Sequence, residues 1–467
     1  MICQFSAIYV YLTRMEIIAI DNAQISIMRE LLFFTLIFSF IHTGCYAKLE
    51  RGGLEDIICS KAIYLKTSSD LDDLIGVCSR SKLVLLGEST HGTSEYYYWR
   101  AEISKRLIAE EGFNFIVVEG DWASIYRLNL YVKGVSDEYK TARDVMKTFN
   151  RWPEWMWANT EVEKLVEWLK IFNSKLPLEK KVGFYGMDVY GQWEAMEEVL
   201  RVAEAKFPES LSEILERYGC YTAFGFDEWQ YALSVQRGHP PCTDNLQWVV
   251  DVIREHLESS TDPNDIKALS HAKQSAKVVL NSEDYYRLAV RSNVSSWNSR
   301  VMHMHETVTR LLAAHGEDSK GIVWAHNTHI GDARATSMLK EGMVNIGQLS
   351  RELHTDDEVT LIGFSTYRGR VNAGSRWGEN MLRMRIPAAP QGSAEEILKR
   401  CGRDVFYTIF DDDLRSNSEL LKPIGHRAIG VVYNPSGDHL YNYVPTILPI
   451  RYDAIIFIKI TSPLDTF

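Results

Sequence analysis

Four short apolar runs in this chain each lead straight into acids or histidines, and this repeated pattern restricts the fold more than any other feature. Leu83-Val84-Leu85-Leu86 is followed by Gly87 and then by Glu88-Ser89-Thr90-His91. Phe115-Ile116-Val117-Val118 ends in Glu119-Gly120-Asp121, Val182 to Tyr185 runs into Gly186-Met187-Asp188, and Gly321-Ile322-Val323-Trp324-Ala325 runs into His326-Asn327-Thr328-His329. Uninterrupted apolar runs of this length read as strands buried on both faces, the condition of a parallel sheet covered by helices. Open sheets of that kind place their ligands beyond the carboxyl ends of the strands. The pattern therefore predicts that Glu88, His91, Glu119, Asp121, Asp188, His326 and His329 gather at one sheet edge.

Between these runs the periodicity is helical. Helices are predicted at about Ser94 to Glu111, Trp122 to Lys133, Tyr139 to Phe149 and Thr160 to Asn173. From about 192 to 315 strand signals vanish, and helical stretches follow near Gln192 to Lys206, Asn245 to Ser259, Asp265 to Val290 and Ser296 to His315, which reads as a helical insertion or lid. Further strands are expected at Val359 to Phe364, Val405 to Ile409, Ala428 to Val432 and Ala454 to Ile458. The expected class is α/β, a largely parallel sheet flanked by helices. Its expected divisions are a leader-like segment 1–47, a helical lead-in 48–80 and a catalytic domain 81–460.

With 467 residues, 46% of them hydrophobic, the chain has enough material for a large core. Its 51 basic and 62 acidic residues give a net charge of −11, and no basic cluster interleaved with aromatics is present, so nucleic acid is not expected as a partner. Met28-Arg29-Glu30, the apolar run Leu31 to Ile41, and His42-Thr43-Gly44-Cys45-Tyr46-Ala47 resemble an export signal whose apolar part is too short to span a bilayer. A secreted or cell-envelope location is expected, with the cytoplasm as the alternative. The cysteines, at 3, 45, 59, 78, 220, 242 and 401, form no CxxC pair. Pairing of Cys59 with Cys78, or of Cys220 with Cys242, is compatible with export and is not fixed by spacing.

Acids grouped round a histidine hold one tautomer and raise its basicity, as water activation near neutral pH requires. The same donors could bind a divalent metal and generate hydroxide; no cofactor is otherwise implied. The plainer alternative is that Glu88 and His91 only cap the helix starting near Ser94. His326-x-x-His329 lacks the glutamate of the HExxH proteases, and the chain has no GxSxG elbow, P-loop or GxGxxG, so a serine nucleophile is unsupported.

The series Gly87-Glu88-Ser89-Thr90-His91-Gly92, Arg100, Val-Val-Glu119-Gly-Asp, Trp155-Met156-Trp157, Phe184-Tyr185-Gly186-Met187-Asp188-Val189-Tyr190, Trp324-Ala325-His326-Asn327-Thr328-His329, Ile362-Gly363-Phe364, Ile429 to Tyr433 and Tyr452-Asp453-Ala454 resembles the erythromycin esterase family over roughly Leu83 to Ile458. The resemblance implies an α/β fold with helical additions and hydrolysis of a macrolide-type lactone or related ester by activated water, without a covalent intermediate. Carried over by position, it implies His91 as general base with Glu88 and Glu119 orienting it, and His326 and His329 as oxyanion binders. Arg100 would add positive charge nearby, and Asp121, Asp188, Arg300 and His303 would contact a small-molecule ester or lactone. The family's Trp-Asn-x-Arg-Asp-x-His-Met pattern is here Trp297-Asn298-Ser299-Arg300-Val301-Met302-His303-Met304, with valine in place of the acid. Two other functions compete: a small-molecule binding protein on the same fold, and a metal-dependent hydrolase of peptides or amides.

Overall fold

The computed structural model describes residues 54–467; the leader-like segment, with Cys3 and Cys45, lies outside the described residues. In chain order the strands are β1 (Ile63–Tyr64), β2 (Leu83–Leu86), β3 (Phe115–Asp121), β4 (Gly183–Asp188), β5 (Gly321–Trp324), β6 (Val359–Ala373), β7 (Leu382–Ile386), β8 (Val405–Ile409), β9 (Ile424–Arg427), β10 (Tyr443–Thr446) and β11 (Ala454–Thr461). Nine of them form one sheet in the order β1-β8-β11-β6-β2-β5-β3-β4, with β7 paired to β6 off this path. From β11 to β4 every neighbour is parallel, whereas β8 runs antiparallel to both β11 and β1, and β7 antiparallel to β6. The sheet is thus mixed but mostly parallel.

The short strands are buried throughout, and alternate residues serve opposite faces. Leu83, Leu85, Phe115, Val117, Val323 and Leu361 pack with apolar residues of the helices Gln192–Lys206, Thr243–Ser259, Pro263–Ala289 and Asn293–His315. Val84, Leu86, Ile116, Val118, Ile322 and Trp324 pack on the other face with Ser94–Glu111, Trp122–Lys133 and Thr160–Asn173. The helices between β4 and β5 therefore form one covering layer of the sheet, and they bring Arg300 to its carboxyl edge.

Register fixes that edge. Leu86 pairs with Trp324, Trp324 with Val118, and Val118 with Gly186, so the next residues along these strands emerge side by side. The turn after β2 is held close: the Gly87 amide donates to Ile362 O, the Asn327 amide donates to Glu88 O, and a Cβ at Gly87 would strike Asn327 Oδ1.

Three expectations change. The apolar run Ala428 to Val432 forms no ladder; it crosses the turn after β2, with single bridges Thr90 to Ile429 and Gly374 to Val432, while β9 lies just before it and pairs with β10. The helix expected at Tyr139 to Phe149 is confined to Ala142–Met146, begun by a Thr141/Asp144 capping box. Cys59 is paired with Cys401 rather than with Cys78, which is free and buried; Cys220 pairs with Cys242.

Candidate active site

His91 and Glu88 leave β2 on the same turn, and His91 Nδ1 lies 2.9 Å from Glu88 Oε1. An ionised carboxylate only accepts hydrogen bonds, so Nδ1 carries the proton and Nε2 is left with its lone pair. Arg100 Nη2 donates to the other oxygen, Glu88 Oε2, at 3.0 Å. Arg100 is fully buried between the rings of Tyr97 and Trp324, 4.2 and 4.7 Å from their centroids, so its charge acts through Glu88 and does not face a substrate. Burial lowers the proton affinity of His91, but the Glu88 hydrogen bond and the Glu119 and Glu88 charges outweigh it and leave the pKa raised above its ordinary 6.5.

His326 follows β5 by two residues and lies beside this turn, its ring centroid 4.8 Å from that of His91. Its Nδ1 accepts the Thr328 amide hydrogen at 3.3 Å and lies 2.8 Å from the Thr328 hydroxyl. With Nδ1 accepting, the proton of the neutral ring sits on Nε2, a buried atom with no protein partner. Burial first, then the His91 charge, hold the His326 pKa well below 6.5, so the ring stays neutral. One imidazole thus presents a lone pair and its neighbour an N–H.

Glu119 joins the strand ends. Its Oε2 accepts the His326 amide hydrogen at 2.8 Å, and its Oε1 lies 2.8 Å from Arg300 Nη2 and 3.3 Å from His329 Nε2. Burial works against its ionisation, yet the surrounding His329, His91 and Arg300 charges hold the carboxyl well below the usual range. Arg300 also grips Asp188 through two bonds, Nε to Oδ1 at 2.8 Å and Nη2 to Oδ2 at 2.7 Å, and its Nη1 lies 3.2 Å from His329 Nε2. Asp188 is accordingly held below the usual carboxylate range, against its burial. His329 stacks on Trp297 at 4.5 Å between centroids, and its Nδ1 is buried without a partner.

The structure brings together Glu88, His91, Glu119, Asp188, Arg300, His326 and His329. Asp121 sits at the same edge, but both its oxygens are bound by Arg151, at 2.6 and 2.7 Å, an arginine to which the sequence pattern assigns no role. Arg151 and Arg300 both lie against the Tyr190 ring, 4.9 and 5.1 Å from its centroid. His303 lies behind the cluster, close to the Asp188 main chain: it is 1% exposed, beside Asn281 at 2.9 Å, and burial pushes its pKa down to about 3. Val301 is packed in the core, so Arg300 reaches both carboxylates with no acid at 301. Trp297 was within reach of sequence reasoning, since it precedes Arg300 by three positions on the same helix and hence shares its face.

Among the described residues, no three His, Cys, Asp or Glu side chains are grouped so as to hold a metal ion. The arrangement suits proton abstraction from a bound water by His91, with the Nε2–H of His326 beside it and a fixed positive charge at Arg300.

Known proteins resemble this chain in sequence and in fold. A family model described as Erythromycin esterase matches residues 108–461. An erythromycin esterase type II of Escherichia coli is 22% identical over 381 residues, covering 76% of this chain and 87% of that protein. Three solved structures share the fold. A succinoglycan biosynthesis protein has a TM-score of 0.71 at 21% identity, covering 88% of this chain and 98% of the other. A protein from Bacillus cereus has a TM-score of 0.70 at 19% identity with the same coverage. A histidine-to-asparagine mutant of erythromycin esterase EreC in its open conformation has a TM-score of 0.63 at 16% identity, covering 85% and 95%.

Proposed function

Because the chain belongs to the erythromycin esterase family, we propose that it hydrolyses a carboxylic ester, of the macrolide-lactone type or related to it, with water activated by His91. The observation that carries this reading is the His91–His326 pair: a carboxylate-anchored base 4.8 Å, centroid to centroid, from a neutral imidazole whose N–H has no protein partner. His91 Nε2 takes a proton from water as the oxygen attacks the ester carbonyl, and Glu88 stabilises the imidazolium that forms. The charge developing on the carbonyl oxygen is met by His326 Nε2–H, a buried donor. His91 then returns its proton to the leaving alkoxide, giving acid and alcohol. Glu119 holds the His326 turn through its amide, and Arg300 ties Glu119 to Asp188 and His329; the Asn327 amide, donating to Glu88 O, joins that turn to the one bearing His91.

A base acts only when unprotonated, so the rate is expected to rise with pH through an inflection above 6.5, the direction in which the Glu88 and Glu119 charges shift His91. His326 stays neutral over that range and adds no second limb. Measuring kcat/KM against pH on a chromogenic ester checks this; an inflection at or below 6.5 would refute it. On this reading the reaction uses no metal, and a chelator is expected to leave the rate unchanged. Loss of activity with a chelator and recovery on adding a divalent cation would favour the metal-dependent alternative.

We also propose export. The leader-like segment and the pairing of Cys59 with Cys401 and of Cys220 with Cys242 support it, since disulfides persist in oxidising compartments. N-terminal sequencing of the mature protein is expected to begin at Lys48, or at Cys45 if Thr43-Gly44-Cys45 serves as a lipoprotein box and is cleaved there, and an intact Met1 on cytosolic protein would contradict it.

A further inference from the structure

The structure assigns a positioning role to a second buried histidine–carboxylate pair, His426 with Glu395, which ties together the turn bearing His91 and the turn bearing His326. It rests on the reading of those two histidines given above.

Both residues are fully buried, with His426 Nδ1 2.7 Å from Glu395 Oε1. That oxygen also accepts the Arg427 amide hydrogen at 2.9 Å and the Ser365 hydroxyl at 3.1 Å. Burial opposes the charge on Glu395, but His426 and Arg427 hold its pKa down, while burial lowers that of His426. The pair is therefore a carboxylate and a neutral imidazole whose Nδ1–H donates, leaving Nε2 to accept.

The group facing Nε2 is the Asn327 amide, with Nδ2 3.3 Å away. Asn327 lies between His326 and Thr328, the residue that fixes the His326 tautomer. Its second amide hydrogen goes to Phe364 O at 2.7 Å, its carbonyl accepts from Arg451 Nη2 at 2.9 Å, and its own N–H donates to Glu88 O at 2.8 Å. From the other side, Ile429, three residues after His426, donates its N–H to Ser89 O at 2.8 Å, and Thr90 bridges to Ile429 beside His91. His426 thus holds the His326 turn through Asn327 and the His91 turn through the main chain that follows it.

Replacing both partners of a buried hydrogen bond by apolar groups of the same shape can be nearly neutral or stabilising, so what this pair supplies is one fixed geometry. A displacement of about 1 Å in a catalytic group can cost roughly a hundredfold in rate.

The test compares His426→Leu, His426→Gln and Glu395→Gln with the parent. Leucine offers Asn327 no acceptor, whereas glutamine reaches as far as Nε2 and restores one. For His426→Leu, kcat on a model ester is expected to fall about 10- to 100-fold with KM unchanged, and His426→Gln is expected to recover most of the loss. The second readout needs no substrate: the NMR titration of the His91 ring, which faces Glu88 on its own turn, Glu119 from β3, Arg300 from Asn293–His315 and His326 from the β5 turn. A loosened Glu88 contact moves that titration to lower pH.

A purely structural role would lower the melting temperature and leave the His91 titration in place. A folded His426→Leu protein with parental kcat and parental titration overturns the inference. If His426→Leu does not fold, Glu395→Gln decides by the same two readouts. A parent that hydrolyses no ester would count against the proposed function, and the titration shift would still decide the positioning role.

Discussion

Replacing His91 by asparagine is expected to slow ester hydrolysis by about two to four orders of magnitude, the usual loss when a general base is removed, with little change in melting temperature. Asparagine keeps a polar group near Glu88 Oε1, so the buried carboxylate retains a donor and Arg100 stays in place. Had His91 only capped the following helix, the outcome would be reversed: most of the turnover kept, and about 1 kcal/mol of stability lost. Turnover and melting temperature measured on the same preparation distinguish the two. A folded His91→Asn protein with parental rate would remove the base from this turn.

The largest effect on stability is expected from Arg300→Met. Methionine matches the length of the side chain but leaves Glu119 and Asp188 buried and stripped of their shared cation. Removing one partner of a buried pair costs about 3 to 5 kcal/mol, read as a fall in the denaturation midpoint. The pH dependence follows in sign. Both carboxyls are held below their ordinary values, so the stabilisation is fully present above about pH 4, where unfolded acids ionise, and is lost as pH falls through the depressed folded values. The gap between parent and variant should therefore narrow on acidification. A gap that stays constant or widens would mean that Arg300 contributes by packing alone.

Much of this site was legible because apolar runs and their polar ends are local signals. Leu83 to Leu86 could hardly be anything but a buried strand, and with the strand comes the placement of Glu88 and His91. Depth and partnership are not local. Arg100 follows His91 by nine residues on a helix, and nothing in that spacing says that it is buried behind Glu88. Nor does spacing show that Asp121 and Asp188 are paired with Arg151 and Arg300, 30 and 112 residues distant in sequence. Ala428 to Val432 is apolar enough for a strand, yet it lies over the turn after β2, where only single bridges form. The true strands beside it, Ile424–Arg427 and Tyr443–Thr446, carry Gly425 and Pro445, residues that weaken a strand pattern. The Cys59–Cys401 pair spans 342 residues, beyond any spacing argument.

The central claim, ester cleavage by activated water at the His91–His326 pair, is tested most directly by turning over a macrocyclic lactone and a panel of simple esters in isotopically labelled water while following the intact mass of the protein. The account predicts that substrate gains one molecule of water, that the label enters the carboxyl group, and that the protein's mass stays unchanged during turnover. An acyl adduct on the protein, or intact substrates across the whole panel at neutral and mildly alkaline pH, would contradict it.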